Sequence, residues 1–480
     1  MPPDNTPETI FALASAPGRA GVAIIRLSGP AAGAALQQIT RRPLPAPRIA
    51  ARRDFFPAAT SERIDSGLVL WFPAPHSFTG EAVAELHLHG GRAIISTVSA
   101  TLAAMPGLRL AEPGEFTRRG FANGKFDLTE AEAIADLVDA ETTAQLRQAL
   151  RQMDGALGKL YERWRTQLLR ALAHIEASID FSDEELPADL AATRVRELDE
   201  LHDAIAAHLA DHRRGEKLRD GFHIAILGPP NAGKSSLLNA LAQRDAAIVS
   251  ATAGTTRDVI EVHLDLGGYP VILADTAGLR DGIDAIESEG IRRAQSRAAQ
   301  ADLKILLFDA AALPTLDATT LALRDDRSII VINKMDLRAT GIGDDPQNQN
   351  QHRHSGASGH PVSPPLTTTL QDPILPADAL PLSLRTGAGL PEFLTILTTR
   401  VAAELADTGA PALTRTRHRA GLEQCRDYLT RALNGLRQQQ EMALVAEDIR
   451  LAMRALGRIT GAVDVEDLLD VIFRDFCIGK

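Results

Sequence analysis

The segment Gly228-Pro-Pro-Asn-Ala-Gly-Lys-Ser235 has the spacing G-x-x-x-x-G-K-S and directly follows an apolar run, Phe222 to Leu227. Glycines at those places let backbone N–H groups turn inward around phosphate oxygens, and a helix starting at the lysine adds positive potential there. Asn231, Ala232, Gly233, Lys234, Ser235 and Ser236 are therefore candidate phosphate contacts. Lys234 suits the β and γ phosphates, and the Ser235 hydroxyl suits Mg2+. Asp275-Thr276-Ala277-Gly278 follows a second apolar run. Its carboxylate suits the Mg2+ shell, and the Gly278 N–H is placed to sense the γ phosphate. Asn333-Lys334-Met335-Asp336 follows a third run. A carboxylate there accepts two hydrogen bonds from guanine, from N1 and the exocyclic amino group. Adenine offers no such pair, so the pattern points to GTP. Ser383-Leu384-Arg385, further on, offers backbone N–H groups to the base.

Between the first two motifs lies Ser250-Ala-Thr252-Ala-Gly-Thr255-Thr256-Arg257-Asp258. A threonine before a strand is the expected second Mg2+ ligand of a switch loop, and Thr256 is the candidate. Hydrolysis needs a group that places the attacking water. Many GTPases carry Gln just after D-x-x-G, but here that position is Leu279. Glu287, on the segment after the switch, could orient water. Asn231 could hold a monovalent cation beside the phosphates. Arg257 and Arg280 compete for the charge-neutralising role.

The elements that must position these groups show in the texture of the chain. Short apolar runs at 222–227, 271–274, 303–308 and 328–332 alternate with helix-length segments, as in a mainly parallel α/β sheet with crossover helices. Residues 1–125 are rich in Gly, Pro and short strand-like runs (22–27, 67–72, 82–89), which predicts an α+β domain. Residues 126–220 turn helical. Thr129-Glu-Ala-Glu132 reads as a capping box. Tyr161, Trp164, Leu168, Leu172, Ile175 and Ile179 make a buried helical stripe. Helical texture returns over 403–480, clearest at 442–456. The expected architecture is multidomain α/β: an α+β N-terminal domain, a discontinuous helical domain, and a P-loop GTPase domain (221–402) inserted between its halves. Residues 341–380 are polar and rich in Pro, Gln, Asn and Ser, so they read as a disordered insertion in a surface loop.

The formal net charge of −11 over 480 residues argues against a broad phosphate-gripping face, though not against a local basic patch or a partner that supplies one. Two cysteines, Cys425 and Cys477, are too few for a disulfide framework or a zinc cluster and suit a reducing cytosol. No apolar run is long enough for a membrane span, and no basic region precedes the short N-terminal apolar stretch.

The chain resembles the MnmE (TrmE) family of tRNA modification GTPases nearly end to end, outside the 341–380 insertion. The resemblance rests on the P-loop Gly-Pro-Pro-Asn231-Ala-Gly-Lys-Ser-Ser, Ala253-Gly-Thr-Thr-Arg-Asp258 and Asp275-Thr-Ala-Gly-Leu-Arg280. It rests also on Pro17-Gly-Arg-Ala-Gly21, Phe78-Thr-Gly-Glu81, Pro113-Gly-Glu-Phe116 and the terminal Phe476-Cys-Ile-Gly-Lys480. It implies a K+-activated GTPase and a homodimer paired with a flavin-containing MnmG-type partner. Their shared substrate is the wobble uridine of certain tRNAs, and the setting is the cytoplasm. It implies that Asn231, Ser250, Thr252 and Thr255 surround K+, that Ser235 and Thr256 bind Mg2+, and that Glu287 orients water. It implies an N-terminal domain that dimerises and binds 5-formyl- or 5,10-methylene-tetrahydrofolate through Arg26, Glu85, Lys125 and Lys480.

Read as residues alone, Arg26 and Lys125 suit an anionic glutamate tail and Glu85 the donor edge of a pterin, but each is a single charge near a strand. His87 and His89 share a face with Glu85 and read as packing rather than a metal site. Cys477 does not fit a lipidation signal, because Gly479 is not aliphatic; a catalytic or pocket role on a docked tail fits better. Two other readings remain. An rRNA-binding ribosome-assembly GTPase would need a basic RNA module that the composition lacks. A stand-alone folate-dependent transferase would not need an intact nucleotide set.

Overall fold

The structure, a computed structural model of the whole chain, describes residues 8–58, 60–180, 188–244, 261–275, 298–339, 376, 378–406, 409–463, 466–474 and 476–479. Contacts divide the chain into two compact units. One is Met1–Asp139, Gln148–His212 and Pro411–Lys480; the other is Ala140–Arg147 and Arg213–Ala410.

The first unit opens with a six-stranded sheet: β1 (Thr9–Leu13), β2 (Ala20–Ser28), β3 (Ala51–Phe55), β4 (Asp65–Phe72), β5 (Val83–Gly90) and β6 (Leu108–Leu110). The order is β3-β4-β5-β2-β1-β6. Alternation decides what each face does. Ile25 and Leu27 of β2 point into a core with Phe55, Val69 and Leu86, capped by helices Ala32–Thr40 and Arg92–Ala103. Arg26 therefore lies on the opposite face, directly across from Glu85 in the antiparallel register.

The rest of this unit is helical. The stripe on Ala156–Asp180 packs with Leu198, Leu422, Leu429, Ile449 and Leu456 in one core. Ile179 departs from the expectation: it is exposed, because the last turn of its helix reaches solvent. The helix Met442–Thr460 buries Val445, Ala446, Ile449, Ala452 and Leu456 as the periodicity predicts.

The expected capping box is displaced by two residues. The helix runs Leu128–Asp139, and Asp127 caps it. Asp127 Oδ1 accepts from the Glu130 N–H at 2.9 Å, while Glu130 Oε2 accepts from the Asp127 N–H at 2.7 Å. Thr129 and Glu132 are instead buried inside the unit. Glu132 accepts hydrogen bonds from Arg417 Nε and Nη2, both at 2.6 Å, and lies 2.8 Å from His418 Nε2. Burial alone would raise its pKa; the His418 imidazole and the Arg417 guanidinium hold it well below the carboxylate range. Burial lowers the pKa of His418, whose Nδ1 has no hydrogen-bond partner among the described residues. This cluster ties the helix before the inserted unit to the helix Thr416–Arg437 after it.

The second unit holds a sheet of β7 (Phe222–Leu227), β8 (Glu261–Leu266), β9 (Tyr269–Asp275), β10 (Leu303–Asp309), β11 (Ser328–Asn333) and β12 (Leu380–Pro381). Its order is β12-β11-β10-β7-β9-β8, parallel except for the β8–β9 hairpin. β8 went unread, although Leu264 and Leu266 alternate into the core. Leu380, the last residue of the expected insertion, opens β12; residues 341–375 and 377 lie outside the described residues.

Candidate functional site

In a parallel sheet every strand delivers its C-terminal loop to the same edge. β7 leads there into Gly228–Ser235, β9 ends on Asp275, β10 on Asp309 and β11 on Asn333. Asn231 and Gly233 have φ of +64° and +104°. These left-handed residues turn the loop back on itself before the helix Lys234–Arg244 begins. A Cβ on Gly233 would sit 2.4 Å from Asn333 Nδ2, so only glycine fits there. Lys234 Nζ donates to the carbonyls of Gly228 and Pro229, both at 2.9 Å, which holds the ammonium over the loop. Ala232 is buried, whereas Asn231, Ser235 and Ser236 are exposed at the mouth.

Asn333 links the motifs. Its Nδ2 donates to the Ala232 carbonyl at 2.9 Å, and its Oδ1 accepts from the Leu384 N–H at 3.2 Å. One buried amide thus fixes the phosphate loop against the Ser383–Arg385 turn. Asp336 Oδ1 accepts from the Ser383 hydroxyl at 2.6 Å, and Oδ2 lies 2.8 Å from Arg385 Nη2. The Ser383 hydrogen bond, with Arg385, keeps the Asp336 carboxyl below its ordinary value. It is ionised at neutral pH and can accept two donors from guanine. Sequence reasoning missed Asp309. Lys334, at φ +64°, donates Nζ to Asp309 Oδ2 at 2.6 Å. Burial pushes the Asp309 carboxyl up, but Lys334 and the Ala311 N–H hold it below the usual range. The available signal was an acid at the C-terminal end of a central parallel strand.

The structure thus brings together Asn231, Ala232, Gly233, Lys234, Ser235, Ser236, Asn333, Lys334, Asp336, Ser383, Leu384 and Arg385. Asp275 is placed by its backbone as the end of β9. Ser250, Thr252, Thr255, Thr256, Thr276, Ala277, Gly278 and Glu287 lie outside the described residues, as does Lys480.

In the first unit, Arg26 Nε and Nη2 both donate to Glu85 Oε1, at 3.1 and 2.9 Å. Both side chains are largely buried, and the guanidinium carbon stands 5.5 Å from the Phe78 ring centre and 5.9 Å from that of Phe116. Glu85 Oε2 lies 3.5 Å from His87 Nε2, and that nitrogen is buried without a hydrogen-bond partner among the described residues. His89 Nδ1 lies 2.8 Å from Asp65 Oδ1. Lys125 Nζ donates to the Pro75 carbonyl at 3.1 Å. Glu81 and Glu115, from the two N-terminal motifs, prove to be parts of a bracing network. Ser28 Oγ donates to Glu81 at 2.7 Å, Arg119 bridges Glu81 and Glu115, and Arg109 grips Glu115 with both nitrogens at 2.7 and 2.8 Å.

The C-terminal tail lies against the same domain. Ile478 forms a bridge with Pro113, and the Gly114 N–H reaches the Cys477 carbonyl at 3.4 Å. Gly479, at φ +101°, passes so close to β1 that a Cβ would meet the Leu13 carbonyl at 2.2 Å. Cys477 itself is exposed. Among the described residues no helix is long and apolar enough to cross a membrane, and no group of three metal-ligating side chains exists.

The strand–loop–helix cradle, the D-x-x-G strand end and the N-K-x-D brace define a P-loop GTPase fold inserted into a helical unit that also carries an α+β domain. The comparisons agree and are more specific. Residues 9–125 match the family model for the GTP-binding protein TrmE N-terminus, and residues 128–477 match the MnmE helical domain. The tRNA modification GTPase MnmE of Paramagnetospirillum magneticum is 56% identical over 98% of this chain and 100% of that protein. The MnmE of Parvibaculum lavamentivorans is 53% identical, again over 98% and 100%. A mitochondrial 5-taurinomethyluridine-tRNA synthase subunit of Homo sapiens is 45% identical over 100% of this chain and 94% of that protein. The chain belongs to the MnmE (TrmE) family of tRNA modification GTPases.

Proposed function

We propose that this chain hydrolyses GTP with Mg2+ and K+ and couples the hydrolysis to modification of the wobble uridine of certain tRNAs. The modification is an aminomethyl or carboxymethylaminomethyl group placed at C5. The chain acts in the cytoplasm, as a homodimer with a flavin-containing MnmG-type partner. A tetrahydrofolate, 5-formyl or 5,10-methylene, supplies the one-carbon unit. The observation that carries the nucleotide part is the Asn333 brace. It fixes a phosphate cradle and a guanine-reading carboxylate in one rigid frame.

The cradle fits a nucleotide because its glycines occupy places that a Cβ would fill. In it, Lys234 neutralises the β and γ phosphates, the backbone N–H groups of 231–236 orient them, and Ser235 and Thr256 hold Mg2+ near Asp275. Asn231, Ser250, Thr252 and Thr255 would hold K+, whose positive charge would offset that of the phosphates. Glu287 orients the attacking water. The folate reading draws support from Glu85: Arg26 takes only Oε1, which leaves Oε2 for the donor edge of a pterin. Lys125 and Lys480 would then serve the anionic tail of the folate, and Cys477 would take a catalytic or pocket role on the C-terminal segment.

Two measurements test this. GTP hydrolysis by the full chain rises sharply in K+ relative to Na+, and Glu287→Ala keeps nucleotide binding while hydrolysis collapses. Equal rates in the two salts sink the K+ role of Asn231. In addition, tRNA from a deletion strain lacks the wobble modification.

A further inference from the structure

Residues 41–63 hold six arginines, Arg41, Arg42, Arg48, Arg52, Arg53 and Arg63, and no lysine, against only Asp54 and Glu62. This stands out in a chain of net charge −11. The segment contains β3, which ends the sheet order and, among the described strands, pairs with β4 alone.

Several arginines elsewhere sit against carboxylates: Arg26 on Glu85, Arg119 on Glu115, Arg417 on Glu132, Arg437 on Asp199. Here the pairing differs. Arg63 has Asp54 at 3.5 Å, but the other five make no ion pair with a described acid. Arg41 donates to the carbonyls of Pro57 and Thr60 and stacks 4.8 Å over the Phe56 ring. Arg48 donates to the His76 carbonyl, Arg52 Nε to Ser66 Oγ at 3.3 Å, and Arg53 Nη1 to the Arg52 carbonyl at 2.9 Å. Such neutral acceptors fix a guanidinium in place without cancelling its charge. Arg41, Arg48, Arg52 and Arg53 thus hold positive charge that no described acid offsets, on and around an edge strand, with Arg52 and Arg53 on opposite faces of β3. Guanidinium forks match phosphate oxygens two by two. A charged edge strand also deters sheet-to-sheet association, but that alone does not call for pinned guanidiniums.

We propose that this arginine edge, β3 with residues 41–50, 56–58 and 60–63, grips the phosphodiester backbone of the tRNA substrate. The inference rests on the tRNA reading above and adds the surface that holds the RNA. Contacts of this kind position the RNA and carry no sequence information.

The test uses the full chain, an unmodified tRNA transcript and fluorescence anisotropy across a salt series. The variant R42Q/R52Q/R63Q changes three exposed side chains, and its melting curve and RNA-free GTP hydrolysis stay those of the parent. Each lost phosphate contact removes about 0.7–0.9 from the slope of log K against log salt, so the slope drops by about 2–3. A control, R163Q/R165Q/R170Q on the helix Ala156–Asp180, leaves affinity and slope unchanged. Parent-like affinity in the first variant, or an equal loss in the control, overturns the proposal and leaves the tRNA reading standing. Loss of flavoprotein capture with tRNA affinity intact also overturns it and assigns the edge to a protein partner. A parent chain that binds no tRNA at any salt overturns this inference, whereas the tRNA reading falls only if tRNA from the deletion strain keeps its wobble modification.

Discussion

Replacing Asn333 by alanine tests whether the nucleotide site is held together by one buried amide. The side chain is 3% exposed and serves two backbone groups, the Ala232 carbonyl of the phosphate loop and the Leu384 N–H of the base-recognition turn. Truncation leaves both without this partner. A buried polar group stripped of its partner costs about 1–3 kcal/mol. The Leu384 side of the site is only partly buried, which favours the low end, about 2 kcal/mol in total. If binding must rebuild the frame, that becomes a rise of about 30-fold in the Kd for GDP. Titration calorimetry of GDP in Mg2+ reads it directly. Asn333→Asp sharpens the test. It keeps an acceptor for Leu384 but sets a carboxylate oxygen against the Ala232 carbonyl, so it binds no better than the alanine variant. Affinity within about threefold of the parent for both variants refutes the bracing role.

Other consequences follow from the same geometry. Glu132→Ala leaves Arg417 without its buried carboxylate and costs about 3–5 kcal/mol; urea unfolding followed by Trp164 fluorescence in a Trp71→Phe background measures it. Burial pushes the Glu115 carboxyl up, but Arg109, the Glu112 N–H and Arg119 bring it down to about 2 from an ordinary 4.5. A depressed acid stabilises the folded state above its unfolded pKa, so this contribution is full above pH 4.5 and fades as the pH falls towards 2. Glu115→Gln therefore flattens the acid limb of the stability profile in that window, and an unchanged limb contradicts the assignment. Burial pushes the Cys425 thiol up to about 12, while Cys477 is exposed. A thiol reagent titrates one cysteine in the folded chain and two in denaturant; two fast thiols in the folded chain contradict the packing of Cys425.

The nucleotide cradle was legible because its chemistry is local: glycine spacing, a strand before it and a helix after it lie within a few residues. The parallel sheet was legible from its apolar runs, although β8 hid in a short alternating segment. What the sequence concealed depends on distant partners. Glu132 reads as the end of a capping box until the chain returns 285 residues later with Arg417. The pairing of Arg26 with Glu85 depends on the β2–β5 register, which periodicity alone leaves open. The close pass of Gly479 over Leu13 joins the last residues to the first strand, and no local signal marks it. Asp309 is an ordinary strand-end acid until the left-handed Lys334 swings an ammonium onto it.

The central claim is that guanosine triphosphate is split in a backbone cradle and that one carboxylate, Asp336, selects its base. Steady-state hydrolysis of GTP and ATP by the full chain in Mg2+ and K+, side by side with Asp336→Ala, tests it most directly. The parent is expected to turn over GTP alone, and the variant to lose that turnover. Comparable turnover of ATP, or a variant that keeps parent-like GTP hydrolysis at low nucleotide, contradicts it.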